Sequence, residues 1–172
     1  MVFSKSVPEA AIGMAAINSL LEVDESKCVE LNARELIIEK GRGKNIAMIG
    51  HFPFIPKLRE IAKELWVIEK NPQPGDYPEE EAKNLIPAAD VLAVTGTAIT
   101  NHTMEDLLKL KGKDTFVIAL GDSAILSSIL FDYGIDAISG TVVADHESAL
   151  KCVSQGANFR QINGLKRMTM VK

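Results

Sequence analysis

Three glycine-led loops carry most of the residues in this chain that could do chemistry: Gly50-His51-Phe52-Pro53, Thr95-Gly96-Thr97-Ala98 with Asn101 just beyond, and Gly121-Asp122-Ser123. Each follows a short apolar run, Ile46 to Ile49, Val91 to Val94 and Phe116 to Leu120. In an open α/β sheet the crevice beyond the carboxyl ends of the strands holds the ligand, so loops of this kind converge on one place. His51 is the candidate for proton transfer, because an imidazole changes charge near neutrality. Phe52, or Phe54 after it, offers a ring face to a planar ligand, although a plug at the end of the core is the other reading, stronger for Phe54 than for Phe52. Glu69 ends a further apolar run about twenty residues after Gly50, where dinucleotide-binding sheets keep an acid for ribose hydroxyls. Thr95, Gly96, Thr97 and Asn101 bring hydroxyls, an amide and backbone N–H groups to the start of a helix, a setting for an anionic or carbonyl group. Either Asn101 or Thr103 also fits as the cap of that helix, and Asp122 or Ser123 as the cap of the next.

The same inventory excludes several chemistries. There is no G-x-G-x-x-G, no phosphate-cradling P-loop and no G-x-S-x-G elbow, so an ordinary NAD-binding or serine-hydrolase reading loses its support. His51, His102 and His146 lack the spacing of a zinc site, and Cys28 and Cys152 lie far apart, so no metal site is read and no cofactor is named. His51 and His102, both beyond strand ends, could still meet in space. A net charge of −4 and a pI near 5.4 leave no basic excess for a phosphate backbone, which argues against nucleic acid. No apolar run approaches the roughly eighteen residues of a membrane span, and the start of the chain lacks a secretory leader. The expectation is a soluble cytoplasmic protein with two buried thiols.

What must position these residues is an alternating pattern. Strand candidates are Ile46 to Ile49, Leu65 to Ile68, Val91 to Val94, Phe116 to Leu120, and Ala137-Ile138 with Thr141 to Val143. Each is a near-continuous apolar run, as in a parallel strand covered on both faces. Helical patterns fall at Pro56 to Glu64, Glu79 to Leu85, Thr103 to Lys111, Ala124 to Tyr133 and His146 to Gln155. Ahead of them lie a helix from Pro8 to Leu21, apolar on more than one face, and a short one capped by Asn32 with Glu35 three residues on. The pattern predicts an α/β fold, a doubly wound, mostly parallel sheet of about five strands, Rossmann-like, over residues 23–172, preceded by an N-terminal helix in residues 1–22.

In the order and spacing of Gly50-His51-Phe52-Pro53, Val67-Ile68-Glu69, Pro87-Ala88-Ala89-Asp90 leading into Thr95-Gly96-Thr97-Ala98 with Asn101 and Thr103, and Leu130-Phe131-Asp132-Tyr133-Gly134 leading to Ser139-Gly140-Thr141, the chain resembles the heavy-metal-chelation domain family. The similarity runs from about Gly43 to Gly156. It implies a Rossmann-like domain, similar in outline to methyltransferases, that follows a smaller enolase-N-like domain, and a role in making or handling a metal-chelating small molecule of pterin, flavin or siderophore type. Two departures stand out. The family's usual Gly-Pro-Ser loop is Gly121-Asp122-Ser123 here, and Ala11 to Asn18 looks like the helix that ends the family's first domain, most of which is then missing.

These readings lead to one expectation and two alternatives. The expectation is a protein that binds a planar small metabolite through Gly50, Phe52, Pro53, Glu69, Thr95, Gly96, Thr97, Asn101, Gly121, Asp122 and Ser123, with His51 as the catalytic candidate. One alternative is a non-catalytic chelate-binding subunit whose partner supplies the missing domain. The other is a methyltransferase using S-adenosylmethionine, weakened because the first loop lacks a glycine-rich run. Apolar residues on several faces of the first helix also predict a homo-oligomer built around it.

Overall fold

The structure is a computed structural model and describes residues 1–29 and 31–172. Five parallel strands form its centre: β2 (Asn45–Ile49), β3 (Glu64–Glu69), β5 (Val91–Thr95), β6 (Phe116–Leu120) and β7 (Ala137–Val143). They are the five runs expected from the sequence. The sheet is larger than expected, however, because β1 (Cys28–Val29), β4 (Tyr77–Pro78) and β8 (Leu165–Val171) bring it to eight strands among the described residues. Its order is β1-β8-β7-β6-β5-β2-β3-β4, with β8 antiparallel to both neighbours and every other pair parallel. β7 is one continuous strand, paired with β8 from Ala137 to Val143.

Side chains alternate across these strands, and the alternation sorts the core into two layers. Ala47, Ile68, Leu92, Val94, Val117, Ala119 and Ile138 point to one face, joined by Met168 and Met170 of β8. Ile46, Met48, Leu65, Val67, Val91, Ala93, Ile118 and Leu120 point to the other. α2 (Ala33–Gly41) and α3 (Ile55–Ile61) cover the second face through Leu36, Ile37, Ile55 and Leu58. α4 (Ala82–Leu85), α5 (Thr97–Thr100) and α6 (Met104–Leu110) cover the first through Ala82, Ala98 and Met104. Helices on both faces explain why the central strands read as unbroken apolar runs.

Several local readings change. Residues 124–133 do not form an α-helix; an irregular stretch leads into a 3-10 turn at Ser128–Tyr133, closed by Gly134 in the left-handed region. α3 stops at Ile61 because the apolar residues that follow enter β3. Asn32 does cap α2, its side chain accepting the Arg34 amide. Neither cysteine is fully buried: Cys28 and Cys152 are both half-buried, and burial raises the Cys28 thiol above its ordinary pKa. α1 (Val7–Leu20) buries only Ala10, Gly13 and Met14, packs on α5, and leaves Ile12 and Leu20 at 60% and 83% exposure. α7 (His146–Ser154) is capped by Asp145, whose carboxylate takes the Ser148 amide and hydroxyl. No described helix is long and apolar enough to cross a membrane.

Candidate functional site

Numbered by their own order in the chain, the five central strands lie 2-1-3-4-5 across the sheet, so the winding reverses between β2 and β5. A crevice opens at such a reversal, beyond the carboxyl ends of the two strands. The loops after β2 and β5 meet there closely. Gly50 has φ +109°, and a Cβ on it would sit 3.2 Å from Cβ of Thr95 and 3.1 Å from the Phe52 ring. Gly96 is tighter, since a Cβ on it would lie 2.4 Å from the Ala124 backbone nitrogen. Gly96 is thus a spacer under the site and does not itself line the crevice.

The crevice is a cleft of about 760 Å³ whose lining includes Gly50, His51, Phe52, Glu69, Thr95, Thr97 and Asn101. Seven of the residues singled out from the sequence therefore share one cleft, with Glu69 and Thr97 on the same edge of the sheet. Pro53, Gly121 and Asp122 line a different cleft, on the far side of Phe52. Ser123 lines neither cleft, and no helix follows for it or Asp122 to cap; Asp122 instead accepts the Thr141 hydroxyl at 3.1 Å.

Several polar groups of the first cleft are held by neighbouring side chains or backbone. Nδ1 of His51 lies 3.1 Å from Oδ2 of Asp76, whose side chain is only 1% exposed and whose same oxygen accepts the Gln73 amide at 3.1 Å. A carboxylate accepts, so Nδ1 is the donor and Nε2 is left for the cleft. Asp76 lies in the turn-rich stretch from Asn71 to Pro78, of which Asn71 lines the cleft. The sequence did not mark Asp76, because an acid in a Gly-Asp turn reads as solvated until a buried partner is seen. Glu69 takes the Lys70 amide on Oε2 at 3.2 Å. The Thr95 and Thr97 hydroxyls lie 3.0 Å apart. Oδ1 of Asn101 accepts both the amide and the hydroxyl of Thr103, at 3.3 and 2.6 Å, which turns its Nδ2 hydrogens outward. Thr103 occupies the cap position of α6 without a capping bond of its own.

Phe52 stacks on Phe54, with ring centroids 5.4 Å apart and planes 25° off parallel, and both pack on the second core layer. One face of Phe52 is therefore already covered. His102 is turned away, Nε2 lying 3.0 Å from the Ser4 carbonyl, and does not join His51. Among the described residues no group of three or more His, Cys, Asp or Glu side chains is placed to hold a metal ion.

The comparisons with known proteins agree with this architecture. A DUF364-family protein of unknown function from Desulfitobacterium hafniense DCB-2, solved at 2.01 Å, superimposes with a TM-score of 0.89 at 26% identity, over 99% of this chain and 72% of the other. A second, from Pyrococcus horikoshii, gives a TM-score of 0.87 at 22% identity over 99% and 72% of the two chains, a likeness of fold. Uncharacterized protein MJ0500 of Methanocaldococcus jannaschii is 26% identical over 99% of this chain and 69% of its own length. The family itself matches residues 32–172, most of the chain. By fold and by sequence, then, this chain belongs to the DUF364 family, whose description reads "Putative heavy-metal chelation".

Proposed function

We propose that the cleft between the β2 and β5 loops binds a planar small metabolite, a metal chelator of pterin, flavin or siderophore type, in its synthesis or handling. The observation that carries this reading is the convergence of Gly50, His51, Phe52, Glu69, Thr97 and Asn101 on one cleft at the reversal of the winding. Its volume, about 760 Å³, falls within the roughly 300–1,000 Å³ of ordinary small-molecule sites. The groups offered are those that recognise an organic molecule. Glu69 accepts a hydroxyl or ring N–H, Nδ2 of Asn101 and the Thr97 hydroxyl hold a polar substituent, and the uncovered edge of Phe52 meets the ring. Among the described residues no trio of ligating side chains accompanies them; in this reading the metal is cargo that comes with its chelator. Nε2 of His51 is placed to take a proton from the bound molecule, with Asp76 fixing the ring.

The test is native mass spectrometry of the protein purified from its own host, beside a Glu69→Gln, Thr97→Val double variant prepared identically. A retained small molecule in the wild type that is lost from the variant is the expected result. Bare protein in both samples, or equal retention in both, overturns the reading.

A further inference from the structure

We propose that the second cleft is a separate binding site for a small, multiply charged anion carrying phosphate or several carboxylates. It lies beyond the carboxyl end of β6, beside β7 and the start of β8, and measures about 1,190 Å³. Among the described residues its lining holds five basic side chains, Arg34, Lys57, Arg160, Lys166 and Arg167, against two acidic ones, Glu60 and Asp122. The first cleft is the reverse, with Glu69, Glu79, Glu80 and Asp106 against Lys70 and Lys83. In a chain of net charge −4 this concentration of cations in one concavity is a local inversion of sign. A concave site focuses such a field on whatever enters it.

The pairing of these cations narrows the site further. Lys57 is held by Glu60 at 2.6 Å and Lys166 by Glu25 at 3.4 Å, so both are partly spent. Arg160, after α7, and Arg167, on β8, have no hydrogen bond or ion pair through their guanidinium groups among the described residues. Planar forks of this kind match the oxygens of carboxylates and phosphates two at a time. Asp122 lines the same cleft, tied to Thr141, and weakens a bound anion by repulsion. Phe52 lines both clefts and separates the two sites.

Titration calorimetry at low ionic strength with inorganic pyrophosphate in one arm and citrate in the other tests the site and separates its two possible anions. Saturable binding of at least one is expected. An R160A/R167A double variant should lose about tenfold or more in affinity, as expected when two charge-assisted forks are removed. D122N should bind more tightly, which gives an independent reading if the double variant folds poorly. Lys113→Ala, in the turn before β6 at the opposite edge of the sheet, should bind as wild type. Absence of saturable heat with both anions, an unchanged double variant that melts normally, or an equal loss in Lys113→Ala would each overturn the proposal.

Discussion

At the scale of single residues, the most consequential side chain is one that never reaches the cleft. Asp76 accepts the Gln73 amide and Nδ1 of His51 on one almost fully covered oxygen. Replacing it by Asn keeps the shape but removes the charge from both bonds. We expect Asp76→Asn to cost about 1.5–3 kcal/mol in chemical denaturation, the range for hydrogen bonds to charged groups. Long-range ¹H–¹⁵N spectra should show His51 as the Nδ1–H tautomer in the wild type and a mixture of tautomers in the variant. His51, Glu69, Thr97 and Asn101 were legible from sequence because each follows an apolar run at a predictable strand end. Asp76 was not, since its role rests on burial and on a contact across twenty-five residues. The arginines of the second cleft escaped for a similar reason: Arg34, Arg160 and Arg167 belong to three elements that only the completed sheet brings together.

At the scale of elements, the loops tolerate less change than their exposure implies. The turn after β5 passes so close to the backbone at Ala124 that Gly96 has no room for a methyl group. Gly96→Ala should therefore destabilise the fold by about 1–3 kcal/mol, the usual cost of overpacking, with the melting temperature as the readout. The cap of α7 supplies a pH-dependent counterpart. Hydrogen bonds from the Ser148 hydroxyl and amide hold the Asp145 carboxyl below its ordinary pKa of 3.8. A folded-state pKa below the unfolded one means that the carboxylate's contribution is complete above about pH 3.8 and is lost as the pH falls through the lower, folded value. Asp145→Asn, which still caps but cannot ionise, should show a shallower fall in melting temperature below pH 3.8 than the wild type. The five central strands were legible because burial on both faces makes them continuously apolar. The two-residue strands β1 and β4 carry no such signal, and in β8 the core residues Met168 and Met170 alternate with Arg167 and Thr169, which diluted the run. Residues 124–133 misled because apolar spacing cannot tell a helix from an irregular stretch packed on a sheet.

At the scale of the whole molecule, α1 presents Ile12 and Leu20 to solvent, with Phe3 nearby at 95% exposure. The homo-oligomer expected from sequence would rest on this face. Light scattering at micromolar concentration should then give a mass above that of one chain, which Ile12→Ser, Leu20→Ser lowers without a loss of folding stability. A single-chain mass for both proteins ends that expectation. The sheet carries a consequence of another kind. β8, last of the strands in sequence, lies between β7 and β1 and is paired along the whole of β7. Synthesis from the N-terminus therefore delivers β7 with one side bare, and that edge of seven residues waits for β8 before it is closed. Unpaired strand edges invite other chains during that interval. A chain ended at Gly164 should be recovered mainly as aggregate, and adding a peptide of residues 165–172 during refolding should return part of it to solution, as measured by sedimentation. Completion of this protein is decided late, by a strand that brings Lys166 and Arg167 to the second cleft and seals the side on which the sheet would otherwise keep growing.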